Sequence, residues 1–256
     1  MEGLIELNHF GFLEVAGKEA EKFLQGYTTC DLESLNENSV KLGAICDIKG
    51  RMITSFLIII HDKKFVLRMN KDLVEKTISF LQKYIIFSKA DLKNKSDEMI
   101  CYGSADPDSN SWTVKSLSNG FEIGLVNRKE LWLTQIQADA STYTDQWADL
   151  EIDTRQAWIT SENSELLLPQ SLNYHMINGV DFEKGCYLGQ EVISRTYYRG
   201  KLKKKLHVID KPIDSIEGGL KVNSGQKRTL VVLRNETDQS LNIKTSSDED
   251  IVATPV

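Results

Sequence analysis

Residues 181–195 read DFEKGCYLGQEVISR, and this segment sets one cysteine, Cys186, between two glycines and close to a lysine. Gly185 frees the backbone before the cysteine, and Gly189 permits a tight turn or the close approach of another group. If YLGQEVISR begins a helix, Cys186 lies near its N-terminus, where the macrodipole favours a thiolate, and Lys184 adds a positive charge. The segment therefore predicts a positioned thiol, although a lone cysteine is usually a small buried apolar residue.

The residues after the cysteine extend this prediction. Gln190 and Glu191 can form hydrogen bonds within the same turn, and Arg195 lies one helical turn beyond Glu191. A nucleophilic thiol also needs a base, and His175 and His207 are the candidates nearest in sequence. Nothing in the sequence shows that either histidine reaches the sulfur.

Composition narrows the class of protein. A chain of 256 residues with 41% hydrophobic residues can build two or three lobes with a real core, and its net charge of −6 argues against coating nucleic acid through bulk charge. The longest apolar run, residues 52–60, is too short for a bilayer span, and the N-terminus has no basic signal region. The four cysteines show no metal-ligand or dithiol spacing. We expect a soluble, cytoplasmic protein with reduced thiols and no bound metal.

Hydrophobic periodicity predicts an α+β lobe over residues 1–103. Its predicted elements are strands at residues 10–17, 40–47, 52–60 and 64–70 and helices at 18–27 and 72–87. A polar loop at 104–111 marks the start of a middle α+β lobe, residues 104–199, with three strand-like runs and a helix over 144–158. From residue 200 the pattern changes to short strands, which predicts a small antiparallel β-barrel over residues 200–256.

The stretch KGCYLGQE, residues 184–191, resembles the K-G-C-Y-x-G-Q-E signature of the YgfZ family. These are folate-binding proteins related to the aminomethyltransferase (T-protein) of the glycine cleavage system and to a mitochondrial iron–sulfur assembly factor. Four further segments are similar to family motifs and occur in family order: FLQGYTTCDL (23–32), CDIKGRM (46–52), LQKYIIFSKADL (81–92) and LLPQSLN (167–173). The resemblance spans about residues 8–205 and assigns Gly185, Cys186, Tyr187, Gly189, Gln190 and Glu191 to the signature.

The resemblance implies three lobes around a central channel that holds tetrahydrofolate or a derivative. The family's aromatic folate contacts would fall on Phe10 and Trp147, which are otherwise ordinary core residues. Asp153 stands where relatives often carry a glutamate that contacts the pteridine, and it is one methylene shorter. The carboxylate pair of the transferases is replaced by Thr54 and Ser55, whose hydroxyls cannot stabilise a developing cation comparably. The replacement argues against aminomethyl transfer.

The family therefore predicts a folate-binding protein that supports assembly or repair of iron–sulfur enzymes, including tRNA-modifying ones, with Cys186 facing the channel or its rim. A folate-dependent one-carbon transferase, with the thiol replacing the missing acid, is one alternative. A non-catalytic adaptor with a vestigial channel is another. The expected partners are folate and those enzymes. The five basic residues of RGKLKKKL (199–206) can contact an RNA backbone or an acidic protein, or form a solvated strand face. The acidic net charge favours the solvated face, so direct contact with nucleic acid is not expected.

Overall fold

The computed structural model describes residues 3–109, 111–137, 140–141, 144–235, 239–246 and 248–256. In these residues the chain forms three five-stranded antiparallel sheets and four α-helices. None of the helices in the described ranges is long and apolar enough to cross a bilayer.

The elements follow one another along the whole chain. The strands are β1 (Ile5–Glu6), β2 (Phe10–Ala16), β3 (Lys41–Cys46), β4 (Met52–His61), β5 (Lys64–Asn70), β6 (Asp91–Asn94), β7 (Ile100–Ala105), β8 (Thr113–Leu117), β9 (Gly120–Leu125), β10 (Arg128–Leu133), β11 (Lys204–Ile209), β12 (Gly219–Ser224), β13 (Thr229–Arg234), β14 (Leu241–Lys244) and β15 (Asp250–Pro255). The helices are α1 (Ala20–Gln25), α2 (Val74–Ile85), α3 (Thr144–Asp153) and α4 (Gln190–Arg199), with short 3-10 turns at Lys71–Leu73 and Pro169–Leu172.

The first sheet has the strand order β3-β4-β5-β2-β6 and contains every strand predicted for the N-terminal lobe. Strand β4 is paired on both sides and is buried from Met52 to Ile59, which accounts for its mainly apolar sequence. Phe56 and Ile58 point into the cluster under α1 and α2, whereas Leu57 and Ile59 point into the main core. The predicted hairpin between β3 and β4 is confirmed, and Gly50 adopts the left-handed φ of 73° in its turn.

The second sheet has the order β1-β7-β10-β9-β8. The three predicted strands are β8, β9 and β10, but β7, which pairs with both β1 and β10, was not predicted. Strand β7 runs through residue 103, so the predicted boundary falls inside it; the division into lobes itself stays a prediction. Helix α3 ends at Asp153 rather than at residue 158, since Arg155 takes a left-handed φ of 59°.

The third sheet has the open order β12-β13-β11-β15-β14, so the prediction of a closed C-terminal barrel is wrong. The edge strands β12 and β14 form no ladder with each other in the part of the chain that the structure describes. In the described residues, the two edges are joined by one isolated bridge, between Ile216 and Thr245. The predicted short antiparallel strands are confirmed, and they pack over a small cluster of their own that includes Val231 and Ile251.

One hydrophobic core connects the three sheets. Phe12 of the first sheet, Trp132 of the second and Val232 of the third belong to a single cluster of buried residues. Helix α3 contacts both β7 and β12, so it fills the space between the second and third sheets. This shared core holds the residues of the first cavity described below.

Candidate functional site

A cavity of about 240 Å³ lies where the start of β2, helix α3 and strand β12 meet. Its walls come from segments far apart in sequence, so the cavity exists only in the folded chain. The lining residues are Asn8, His9, Phe10, Asn70, Asp145, Trp147, Ala148, Glu151, Trp158, Thr160, Val222, Asn223 and Ser224.

The structure brings the two predicted aromatic residues to the same cavity and adds a third. Phe10 and Trp158 meet edge to face with ring centroids 5.6 Å apart, and Trp147 lines the same space. Trp147 is fully buried, and its ring lies so close to Gly103 that an added Cβ there would come within 2.5 Å of it. His9, next to Phe10, stays neutral at pH 7 because burial, and then the nearby Arg68 charge, lower its pKa to about 4. The cavity thus has an aromatic and largely uncharged wall.

One buried carboxylate faces this aromatic wall. Glu151 Oε1 accepts hydrogen bonds from the indole nitrogens of Trp147 and Trp158, at 2.8 and 2.7 Å. Its other oxygen, Oε2, accepts from Asn223 Nδ2 at 3.3 Å. Burial raises the pKa of Glu151, and the positive charge of Arg128 opposes that rise. Both indoles are held on one carboxylate oxygen, which leaves acceptor capacity on the second.

A buried ion pair lies against the aromatic wall. Arg68 and Glu130 have no exposed side-chain surface, and Arg68 Nη2 and Nε donate to the two carboxylate oxygens at 2.5 and 3.1 Å. Trp132 Nε1 donates to the same carboxylate at 2.7 Å. The Arg68 guanidinium carbon lies 3.7 Å from the ring centroid of Phe10 and 4.1 Å from that of Trp158. The cation therefore holds both rings in a fixed orientation.

Asp153, which the family pattern predicted to contact the ligand, does not line this cavity. Its carboxylate is half exposed and forms an ion pair with Arg228. The reason is helical geometry: Trp147 and Glu151 are four residues apart and share one face of α3, whereas residue 153 points to another face. Sequence reasoning missed Glu151, although its spacing from Trp147 was the available signal.

The signature segment lies elsewhere, packed on the FLQGYTTCDL segment. Lys184 is 9% exposed, and its Nζ donates to the carbonyl oxygens of Gln25, Thr28 and Cys30 at 2.9, 2.7 and 2.9 Å. Around it, the backbone amide of Leu188 donates to the carbonyl oxygen of Gly26 at 3.0 Å. Lys184 thus ties two distant family motifs together through main-chain carbonyls.

A third and a fourth family motif meet the same segment. Gly189 has a φ of 84° and caps α4, and an added Cβ there would come within 2.5 Å of the carbonyl oxygen of Asp47 and 3.1 Å of the Cα of Gly50. Its contact with the CDIKGRM turn therefore requires glycine. Gln170 of LLPQSLN donates through Nε2 to the carbonyl oxygen of Ile193 at 2.7 Å, within α4. Four motifs that are separate in sequence form one packed unit.

Cys186 is exposed, and it precedes the first residue of α4, Gln190, by four positions. The macrodipole acts within the first turn of a helix, so the predicted effect of the helix start on this thiol has no geometric support. Within the described residues no hydrogen bond joins Lys184 to Cys186, since the ammonium is occupied by the three carbonyls. Gly185 needs no special backbone, and an added Cβ would meet no atom within 4 Å. The cavity lining also lacks Cys186.

The other signature residues play different parts. Tyr187 is buried, its hydroxyl has no hydrogen-bond partner in the described structure, and burial raises its pKa. Its ring centroid lies 5.1 Å from the Lys184 ammonium. The backbone amide of Gln190 donates to the carbonyl of Tyr187 at 3.1 Å. Glu191 is exposed and forms the expected ion pair with Arg195 at 3.7 Å.

Possible metal ligands come together at another place. Glu37, His61 and Asp62 have ligand atoms within 4.8 Å of one another beside the turn that joins β4 to β5. Glu37 and Asp62 are exposed, and none of the three lines the cavity. These three residues therefore do not indicate a metal site in the cavity.

Comparison with known proteins gives the family. Residues 2–143 match the model of the GCVT N-terminal domain. The chain is 31% identical over 234 residues to the tRNA-modifying protein YgfZ of Colwellia psychrerythraea, covering 82% of this chain and 72% of that protein. It is 25% identical over 295 residues to the protein of the same name from Photobacterium profundum, covering 98% of this chain and 89% of that protein.

The fold has a solved counterpart. The glycine cleavage system aminomethyltransferase T from Bartonella henselae superposes with a TM-score of 0.68 at 11% identity, covering 99% of this chain and 85% of that one. The expected α+β fold of the aminomethyltransferase type is confirmed by this likeness. Together with the sequence matches, it shows that the chain belongs to the YgfZ family within the aminomethyltransferase superfamily.

Proposed function

We propose that this protein binds a reduced folate in the cavity between Phe10, Trp147 and Trp158, and that it supports enzymes that modify tRNA, including iron–sulfur enzymes. The family whose domain model it matches typically binds tetrahydrofolate. Its relatives in Colwellia and Photobacterium are named tRNA-modifying proteins. Both properties are transferred to this chain as a proposal, and the cavity chemistry supports the first.

The observation that carries the proposal is the Glu151 carboxylate. A pteridine presents an N–H and an amino group side by side on one edge, and a carboxylate oxygen accepts from such donors with charge-assisted hydrogen bonds. Glu151 lies at a cavity edged by aromatic rings, and its Oε2 carries only the long 3.3 Å bond from Asn223. Aromatic walls contact the faces of a flat heteroaromatic ring while the carboxylate binds its edge.

The size of the cavity sets how much of the ligand it holds. Its volume is about 240 Å³. Sites that enclose a whole drug-sized ligand have roughly 300–1,000 Å³. The cavity therefore fits the pteridine end of the folate, with the aminobenzoyl-glutamate end extending outward.

The transferase alternative has no comparable support in this region. Thr54 and Ser55 are both buried, and Ser55 Oγ accepts a hydrogen bond from the backbone amide of Ile159 at 2.9 Å. The Thr54 hydroxyl lies against Met69 Sδ at 3.6 Å and the carbonyl of Ser55. Both hydroxyls are used in packing the strand, so neither is placed to act as an acid or base in group transfer.

The test compares two carboxylates on one helix. Tetrahydrofolate is titrated into the wild-type protein, Glu151→Gln and Asp153→Asn while tryptophan fluorescence is followed. A charge-assisted hydrogen bond contributes about 1.5–3 kcal/mol, so Glu151→Gln should weaken binding by roughly 10- to 100-fold. Asp153→Asn, two residues away and paired with Arg228 at the surface, should bind as the wild type does. Equal binding by all three proteins, or loss only in Asp153→Asn, contradicts the proposed site.

The same pair of variants tests the link to tRNA modification. A strain lacking this gene is complemented with Glu151→Gln or Asp153→Asn, and its tRNA nucleosides are quantified by mass spectrometry. The proposal expects the products of iron–sulfur tRNA-modifying enzymes to be restored by Asp153→Asn and only partly by Glu151→Gln. Full restoration by a Glu151→Gln protein that no longer binds folate would instead identify an adaptor with a vestigial channel.

A further inference from the structure

A second concave site lies on the surface formed by the family motifs. It is a groove of about 430 Å³ between the β3–β4 turn and the segment that follows α4. Five cationic side chains line it, and its lining contains no acidic residue. The cations are Lys49 and Arg51 on one side and Lys201, Lys203 and Lys204 on the other. We call this set the basic groove.

The cations of the basic groove are not neutralised by the protein. In the described part of the chain, none of the five takes part in an ion pair with a carboxylate. Asp47 lies in the turn itself, and the carbonyl oxygen of Glu165 accepts from Arg51 Nη1 at 3.4 Å, but both carboxylates have other partners. Asp47 Oδ1 accepts from the backbone amides of Lys49 and Arg51, both at 2.8 Å, and Glu165 pairs with Lys76 at 2.7 Å. The five cations therefore have no carboxylate partner among the described residues that an anionic ligand would have to displace.

This local charge opposes the character of the whole chain, whose net charge is −6. A cleft lined by charges of one sign and by apolar walls focuses the electrostatic field and raises the local concentration of the opposite charge. Leu166, Leu168 and Leu202 supply apolar lining here. The groove is therefore a site for a polyanion rather than a by-product of a basic surface.

We propose that the basic groove binds the sugar–phosphate backbone of RNA. A row of lysines and an arginine on two facing segments suits a chain of phosphates, and such contacts position a nucleic acid without reading its sequence. A concave groove fits a strand that passes through it better than a flat membrane surface. The relatives named tRNA-modifying proteins make RNA the polyanion to test.

The fold supports the RNA-backbone interpretation of RGKLKKKL, which the sequence leaves open beside that of a solvated strand face. The sequence alone does not show which residues lie near this run. Folding brings Lys49 and Arg51 of the CDIKGRM motif into one groove with this run, and Val192 and Thr196 of α4 line the same groove. The groove thus follows the helix of the signature segment. No residue lines both the groove and the folate cavity, so the inference does not rest on folate binding.

The experiment measures binding of bulk deacylated bacterial tRNA, labelled at its 3′ end, by fluorescence anisotropy at salt concentrations from 50 to 200 mM. About 0.7–0.9 counterions are released per phosphate contact, so five contacts give a slope of log affinity against log salt of roughly −3.5 to −4.5. The groove variant Lys201→Gln/Lys203→Gln/Lys204→Gln should weaken binding at least tenfold and leave a slope of about −1.4 to −1.8.

The matched control removes three charges elsewhere. Lys18, Lys22 and Lys115 are exposed and lie outside the groove, so their triple glutamine variant has the same net charge as the groove variant. It should keep the wild-type affinity and slope. Equal losses in the two triple variants, no binding by the wild type at 50 mM salt, or binding to anionic vesicles but not to tRNA would each overturn the inference.

A second variant guards against misfolding and separates the two proposals. Lys49→Gln/Arg51→Gln changes the opposite wall of the groove and should also weaken tRNA binding. Tetrahydrofolate titration of every variant reports on the other cavity. If folate binding survives while tRNA affinity falls, the groove is supported independently. If the wild type binds tRNA but no folate, only the folate proposal fails. Unchanged tRNA binding in a folded wall variant and a folded groove variant contradicts the groove.

Discussion

Replacing Lys184 by methionine removes an ammonium that lies inside the protein but keeps most of the apolar stem. The ammonium donates to three main-chain carbonyls, those of Gln25, Thr28 and Cys30. Burial lowers the pKa of Lys184 to about 8, with the nearby Cys30 and Asp31 opposing that shift, so the charged form predominates at pH 7. Lys184→Met should therefore destabilise the fold rather than act on the Cys186 thiol.

The expected size follows from the contacts. Hydrogen bonds to a charged donor contribute about 1.5–3 kcal/mol each, and the variant no longer desolvates a charge, which offsets several kcal/mol of the loss. Each buried carbonyl that loses its donor costs about 1–3 kcal/mol, so leaving three of them unsatisfied outweighs this offset by a few kcal/mol. For a protein of this size 1 kcal/mol shifts Tm by roughly 2–4 °C, so we expect Tm to fall by roughly 10 °C.

Thermal unfolding at pH 7 measures this loss, with Lys18→Met as the control because Lys18 is exposed. Surface substitutions of that kind usually stay within about 0.5 kcal/mol. Alkylation of Cys186 by iodoacetamide is followed from pH 6 to 9 in the same proteins at a temperature where all are folded. The reasoning predicts equal alkylation rates. An unchanged Tm with a tenfold slower alkylation of Lys184→Met would refute it and restore Lys184 as the group that ionises the thiol.

Four further outcomes follow from the structure. Gly189→Ala should cost about 2 kcal/mol or more in urea unfolding, because its φ is 84° and the new Cβ would meet a carbonyl oxygen at 2.5 Å, whereas Gly185→Ala should stay within about 0.5 kcal/mol. In the native protein a thiol reagent should titrate Cys186 rapidly and the three buried cysteines only after denaturant is added. Because burial raises the pKa of Glu151, its carboxylate is protonated as pH falls through that raised value; tetrahydrofolate affinity should therefore decline on acidification in the wild type and hardly change in Glu151→Gln. Arg68→Met leaves the buried Glu130 charge unpaired and should destabilise the protein by about 3–5 kcal/mol in the same unfolding assay.

The signature segment mainly holds the other family motifs together and does less to position the Cys186 thiol. Replacing Lys184 would leave main-chain carbonyls without their donor, and adding a side chain at Gly189 would make atoms overlap. Cys186 is exposed at the surface of that scaffold. The basic groove begins on the same helix, at Val192 and Thr196. A partner that engages the groove would therefore lie along the helix that the signature segment begins.

Local pattern predicted part of the candidate site and missed part of it. Phe10 and Trp147 were identified through family motifs, and both line the cavity. Asp153 was chosen by its place in a motif, but a helix turns about 100° per residue, so Glu151 rather than Asp153 shares the face of Trp147. Arg68 lies in an ordinary strand pattern, KFVLRMN, and only its burial against Phe10 makes it part of the site.

The sequence by itself determined the family, the α+β class, most strands and helices and the glycine at the β3–β4 turn, because these depend on short-range periodicity, turn chemistry and motif order. Only the tertiary structure decided that the last sheet stays open, that Lys184 binds three carbonyls, and that two basic segments face each other across α4. Those features join residues up to 159 positions apart. The packing of whole elements decides which groups lie next to a buried ammonium or an unpaired cation. Hydrophobic periodicity reports only on neighbours along the chain, so it cannot predict these contacts.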